Sequence, residues 1–132
     1  MGIENIKGLF TAKLKQYSEE FNVPYSAIKI LIFYSDASES IEFNLYVKNA
    51  FEKKLSLQYD ILDKKFDLFG QVQMANMILN QILNAYCSEL QCEMKDVRVQ
   101  LLPTSDTDET VCMALINNLE FVRWISFDEF GL

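Results

Sequence analysis

Histidine is absent from the 132 residues. That removes the commonest general base, the Ser-His-Asp and Cys-His arrangements, and the commonest zinc ligand. Cysteine is scarce and odd in number: Cys87, Cys92 and Cys112. Zinc asks for four ligands, usually at tighter spacing than the C-x4-C of Cys87 and Cys92. Reduced, hydrophobe-like thiols are therefore expected, with no metal and no cofactor. The glycines, Gly2, Gly8, Gly70 and Gly131, lie far apart and form no phosphate-cradling loop. No pair of carboxylates stands out as an acid/base couple. Without these groups the chain is not expected to be an enzyme. The opening MGIENIKGLF holds no apolar run of signal-peptide length, so a cytoplasmic location is expected.

Basic residues are missing from one half. Residues 1–66 carry nine acids and nine bases. Residues 67–132 carry ten acids against Lys95, Arg98 and Arg123, which accounts for the whole net charge of −7. An acidic surface repels phosphate backbones, so nucleic acid is not an expected partner. It attracts basic proteins and speeds their association. Half of the residues are hydrophobic, enough for one domain with its own core.

The longest regular pattern is LFGQVQMANMILNQILNAYCSELQ, residues 68–91, with no charge from Leu68 to Ser88. Val72, Ala75, Leu79, Ile82, Tyr86 and Leu90 recur at steps of three and four, predicting a helix with one apolar stripe. Its other face is Gln73, Asn76, Asn80, Asn84, Ser88 and Gln91. Asn is a poor helix former, so an amide face gives up helix propensity. The same amides would be costly in hydrocarbon, and no membrane span is expected.

A first helix is predicted over 3–21 from Ile3, Ile6, Phe10, Leu14, Tyr17 and Phe21, stopped at Asn22-Val23-Pro24. Strands follow at 27–34, at 41–47 and from Phe51 towards Asp60, where Leu55, Leu57 and Tyr59 alternate; Lys48-Asn49 supplies a tight turn. Asp67 is the expected N-cap of the long helix. Beyond it come strands at 97–102, 111–116 and 119–127, with a two-residue turn at Asn117-Asn118. The expected fold is α+β: two αβββ halves, 1–66 and 67–132, forming one largely antiparallel six-stranded sheet with both helices packed on it. Such a sheet has edges open to pairing with a second copy or a partner.

The halves correspond residue by residue. An offset of 69 lays Tyr17 on Tyr86, Glu20 on Glu89 and Ile28, Ile30 and Ile32 on Val97, Val99 and Leu101. An offset of 70 lays Phe51 on Phe121, Lys53 on Arg123 and Ser56 on Ser126. The differences are informative. Lys7, Thr11 and Lys15 become Asn76, Asn80 and Asn84, while Glu42, Glu52 and Lys54 become Cys112, Val122 and Trp124. The second half has exchanged charge for amides and apolar groups.

Two surfaces are candidate contact sites. One is the amide helix face of Gln73, Asn76, Asn80 and Asn84, suited to a partner or a homodimer because amides desolvate at less cost than charges. The other is an acidic, aromatic patch of Asp106, Asp108, Glu109, Glu120, Trp124, Asp128 and Glu129 for a basic protein, joined by Phe121, Phe127 and Phe130. Asp106, Asp108 and Glu109 lack the glycine and distant glutamate of a calcium loop and read as a solvated turn.

The runs IKILIFYSDASESIEFNLYV and DVRVQLLPTSDTDETVCMALINNLEFVRWISFDEF resemble the small acidic bacterial immunity proteins of the YezG-like kind. That resemblance implies a protein that binds and neutralises a cognate toxin, often a basic nuclease. A secretion chaperone that dimerises through a helix and binds an effector segment, and a phage-encoded inhibitor of a host defence nuclease, share the same broad pattern.

Overall fold

The computed structural model describes residues 6–56, 68–103 and 111–126. Two helices and six strands occur in the order α1 (Ile6–Glu20), β1 (Ile28–Ser35), β2 (Ser40–Val47), β3 (Ala50–Leu55), α2 (Leu68–Leu90), β4 (Val97–Pro103), β5 (Val111–Asn117) and β6 (Glu120–Ile125). The strands form one sheet in the order β3-β2-β1-β4-β5-β6, and every neighbouring pair is antiparallel. The fold is α+β, as the sequence pattern predicts.

Alternation along the strands explains the core. Ile28, Ile30 and Ile32 of β1, Ile41, Phe43 and Leu45 of β2, and Val97, Val99 and Leu101 of β4 are buried, as are Val111, Met113 and Leu115 of β5. They join Phe10, Leu14 and Tyr17 of α1 and Leu79, Ile82, Leu83 and Tyr86 of α2 in one cluster. With period two, the residues between them project from the opposite sheet face. Both helices therefore cover one face, and no helix among the described residues covers the other. Leu83, one position outside the predicted stripe, is among the most deeply buried residues. A helix lying on a sheet buries a broader arc than one row of steps of three and four.

The two helices end alike. Asn22 takes φ 53°, with Val23 N–H donating to Ser18 O at 3.1 Å and Asn22 N–H to Glu19 O at 3.2 Å. Gln91 takes φ 53°, with Cys92 N–H donating to Cys87 O at 3.2 Å and Gln91 N–H to Ser88 O at 3.3 Å. Each is a Schellman arrangement that satisfies the last helical carbonyls. The offset of 69 relates every atom pair of one end to the other. The short 3-10 turns Tyr25–Ala27 and Met94–Asp96 obey the same offset.

Three expectations shift. The second hairpin turns at Asn118-Leu119, with φ 49° and 77°, rather than at Asn117-Asn118. It matches Lys48-Asn49, φ 52° and 66°, at the offset of 70, because Asn117 is held in the ladder opposite Glu120. The third strand ends at Leu55 and the last at Ile125, shorter than the alternation suggested. Each carries an irregularity in its register, opposite Leu45/Tyr46 and opposite Leu115/Ile116. Bulges of this kind twist an edge and blunt further pairing. Ile3, Leu57, Tyr59 and Asp67 lie outside the described residues, as do the side chains of Ile6, Val72 and Ala75. No described helix is long and apolar enough to cross a membrane.

Candidate functional site: the uncovered sheet face

Arg123 settles which side of β6 looks where. It pairs with buried Leu115, and its guanidinium reaches α2, with Nε and Nη2 donating to Glu89 Oε2 and Oε1 at 3.2 and 3.1 Å. It also lies over the Tyr86 ring at 5.6 Å. Trp124, its neighbour, therefore projects from the uncovered face, and is 58% exposed. Phe121 pairs with Ile116 beyond the bulge and meets Trp124 edge-on, ring centroids 5.2 Å apart. On the opposite edge Phe51 meets Tyr46 in the same manner at 6.0 Å, and Lys53 lies over Tyr17 at 5.1 Å. Both edges thus fasten to a helix by a cation over a tyrosine and show aromatic rings on the other side.

The open face is apolar at its rims. Phe51 and Phe121 are each 54% exposed. Stray exposed hydrophobes are ordinary on a protein surface; here the rings stand in pairs on the same sheet face, Tyr46 with Phe51 at one edge and Phe121 with Trp124 at the other. Glu42 and Lys54 form an ion pair on this face at 3.0 Å.

A cleft of about 250 Å³ crosses its centre. The lining residues fall into four pairs at the offsets already noted: Lys29 with Arg98, Leu31 with Gln100, Tyr46 with Ile116, and Asn49 with Leu119. None is acidic. Lys29 Nζ donates to Asn49 Oδ1 at 2.6 Å. The Arg98 guanidinium lies over the Phe33 ring at 5.6 Å, and its Nε is buried without an acceptor among the described residues. Leu119 is 80% exposed with φ 77°, a left-handed backbone that disfavours a side chain of this kind.

Of the two predicted contact surfaces, the described residues include the amide face and, from the acidic patch, Glu120 and Trp124. Gln73, Asn76, Asn80 and Asn84 lie on α2, on the covered side of the sheet, away from Trp124. Gln73 and Asn84 are exposed, Asn76 and Asn80 half-buried. Asn80 Nδ2 donates to Asn76 O at 3.4 Å and Asn84 Nδ2 to Asn80 O at 3.0 Å, so these amides bond to their own helix. Glu120 is exposed at the start of β6. Asp106, Asp108, Glu109, Phe127, Asp128, Glu129 and Phe130 lie outside the described residues. The cleft itself escaped sequence reasoning, although the second half has only three cations and two of them, Arg98 and Arg123, fall on Lys29 and Lys53.

Cys87, Cys92 and Cys112 are thiols outside any disulfide, and all three are half-buried. Cys87 Sγ donates to the carbonyl of Cys92, as Ser18 Oγ donates to Val23 O at 3.2 Å. Burial first, and then the neighbouring Cys87 and Asp96, push the Cys92 thiol up. No cluster that could hold a metal occurs among the described residues. No family model, curated protein or solved structure matches the chain.

Proposed function

We propose that the protein is a non-catalytic binding protein that docks a protein partner on the uncovered face of its sheet. The observation that carries this reading is the Trp124–Phe121 pair, solvent-exposed on a face that no described helix covers. Aromatic anchors beside a cleft are the usual centre of a protein interface. Following the resemblance drawn from the sequence, the partner is a basic, nuclease-type bacterial toxin that the protein neutralises. The net charge of −7 supports that choice, since it would draw a basic partner in from a distance. The charge steers and the aromatic face holds.

The test is capture of the partner from the source cell, its identification by mass spectrometry, and a nuclease assay with the purified pair. Neutralisation by the wild type, lost with Trp124→Ala and kept with Asn84→Ala, is the expected result. Loss only with Asn84→Ala would move the contact to the helix side. A captured partner whose activity is untouched would remove the inhibitory reading.

A further inference from the structure

We propose that the central cleft binds an elongated organic dianion, two carboxylates joined by an apolar spacer. Charge is the first argument. The protein carries −7 overall, yet the cleft is lined by two cations and no acid. Among the described residues neither cation is neutralised there: Lys29 bonds to the neutral amide of Asn49, and Arg98 Nε is buried with no acceptor. A buried donor left unmade costs free energy, which an incoming carboxylate would recover.

Geometry is the second. Leu31 and Gln100 face each other at the centre of the β1–β4 ladder. Lys29 lies two residues from Leu31 along β1, and Arg98 two residues from Gln100 along β4. Because these strands run oppositely, the two backbones are set apart by four residue rises, about 13 Å along the strands. The floor between them is the Leu31 side chain and the Gln100 amide. One positive charge near each end and an uncharged middle, apolar on the Leu31 side, are the negative image of a dicarboxylate. A single small anion would engage only one cation.

Leu119 is the third. An exposed leucine in a left-handed turn is strained, and it stands at the cleft. The ladder sets the turn, but an asparagine would serve it with less strain, as Asn49 does in the other hairpin, and strained residues cluster at functional sites. There the leucine supplies an apolar wall that the folding of the hairpin does not need.

The site lies within the proposed docking face, so the dianion would compete with the partner, but it stands independently: its test reads Lys29 and Arg98, whereas docking is read at Trp124. The probes are α,ω-dicarboxylates from glutarate to suberate, added to the whole protein and followed by amide chemical shifts. Saturable binding with an optimum chain length, and shifts centred on Leu31 and Gln100, is expected. The monocarboxylate of the best length should bind about tenfold more weakly, as should Lys29→Gln and Arg98→Gln with the best dicarboxylate, each losing one charged hydrogen bond. Lys29→Arg should restore binding, and Lys13→Gln, on α1, should leave it unchanged. Thermal unfolding of each variant confirms that it is folded. Affinity independent of chain length, indifference to both substitutions, or binding of a glutamate-rich peptide without any dicarboxylate would each overturn the proposal.

Discussion

Leu31 stands directly across from Gln100 in the central ladder, and each is the other's counterpart at the offset of 69. A residue pairs with its own counterpart only where a twofold relation passes through the pair. On either side the relation swaps partners: Ile30 faces Leu101 and Ile32 faces Val99, and the offset turns one pair into the other. The helix ends, the hairpin turns, the bulges and the cation-tyrosine contacts all obey it. The cleft lies where this relation crosses the uncovered face, so each lining position recurs in changed chemistry: Tyr46 as Ile116, Asn49 as Leu119.

Leu119→Asn should stabilise the protein. Asn tolerates positive φ, and Asn49 already occupies the matching position of the other hairpin at φ 66°. Relief of the left-handed leucine is worth on the order of 1 kcal/mol. Urea unfolding should show a higher midpoint at unchanged slope. A lower midpoint would mean that the leucine packs productively.

The architecture was legible in the sequence because its signals are periodic and repeated. The helix stripe from Phe10 to Tyr17 and the alternations from Ile28 and Val97 each appear twice at one offset. The hairpin turn was misplaced because Asn117-Asn118 is the better turn dipeptide, while the ladder holds Asn117 and forces Leu119 to turn instead. Local preference lost to register. Leu83 was missed because a stripe of one residue per turn understates the arc that a sheet covers. The cleft was hidden for another reason: the run from Ala27 to Tyr34 is apolar on both faces, so Lys29, Leu31, Arg98 and Gln100 do not show as one face until both helices are known to lie on the other side. Only the pairing of Lys29 with Arg98 across the offset pointed to it.

Arg123 and Glu89 should show measurable coupling. The contact is two-pronged, with donor-acceptor distances of 3.1 and 3.2 Å, and both side chains are partly exposed. A double-mutant cycle of Arg123→Met and Glu89→Gln should return about 0.5–1 kcal/mol at low salt and less at high salt. Tyr86→Leu should cost more than the cycle returns, because it removes both the ring beneath the guanidinium and a buried core side chain. A coupling energy of zero would reduce the contact to surface decoration.

The amide face separates two roles by one pair of variants. Asn80 and Asn84 already donate to carbonyls one turn back, a bond that competes with better helix formers. Asn80→Ala and Asn84→Ala should therefore raise stability by about 0.5 kcal/mol each through helix propensity. If the face is only a solvated surface, partner affinity stays the same. Greater stability with a loss of affinity would show that the amides are kept for contact, at a cost to the helix.

Alkaline pH should weaken the fold through Cys92. Its thiol titrates above the ordinary value of 9.0 because burial, then Cys87 and then Asp96, oppose the thiolate. The native state holds the proton more tightly than the unfolded chain does. The stability from this group is fully present below 9.0 and is lost as pH rises through the raised native value. Unfolding midpoints measured from pH 7 to 11 should fall across that window, and Cys92→Ser should flatten the part of the fall that belongs to this thiol. The same environment leaves little thiolate at neutral pH, so alkylation of Cys92 in the folded protein should be slower than in urea. Equal rates in the two states, with an alkaline profile unchanged by Cys92→Ser, would place the thiol in open solvent.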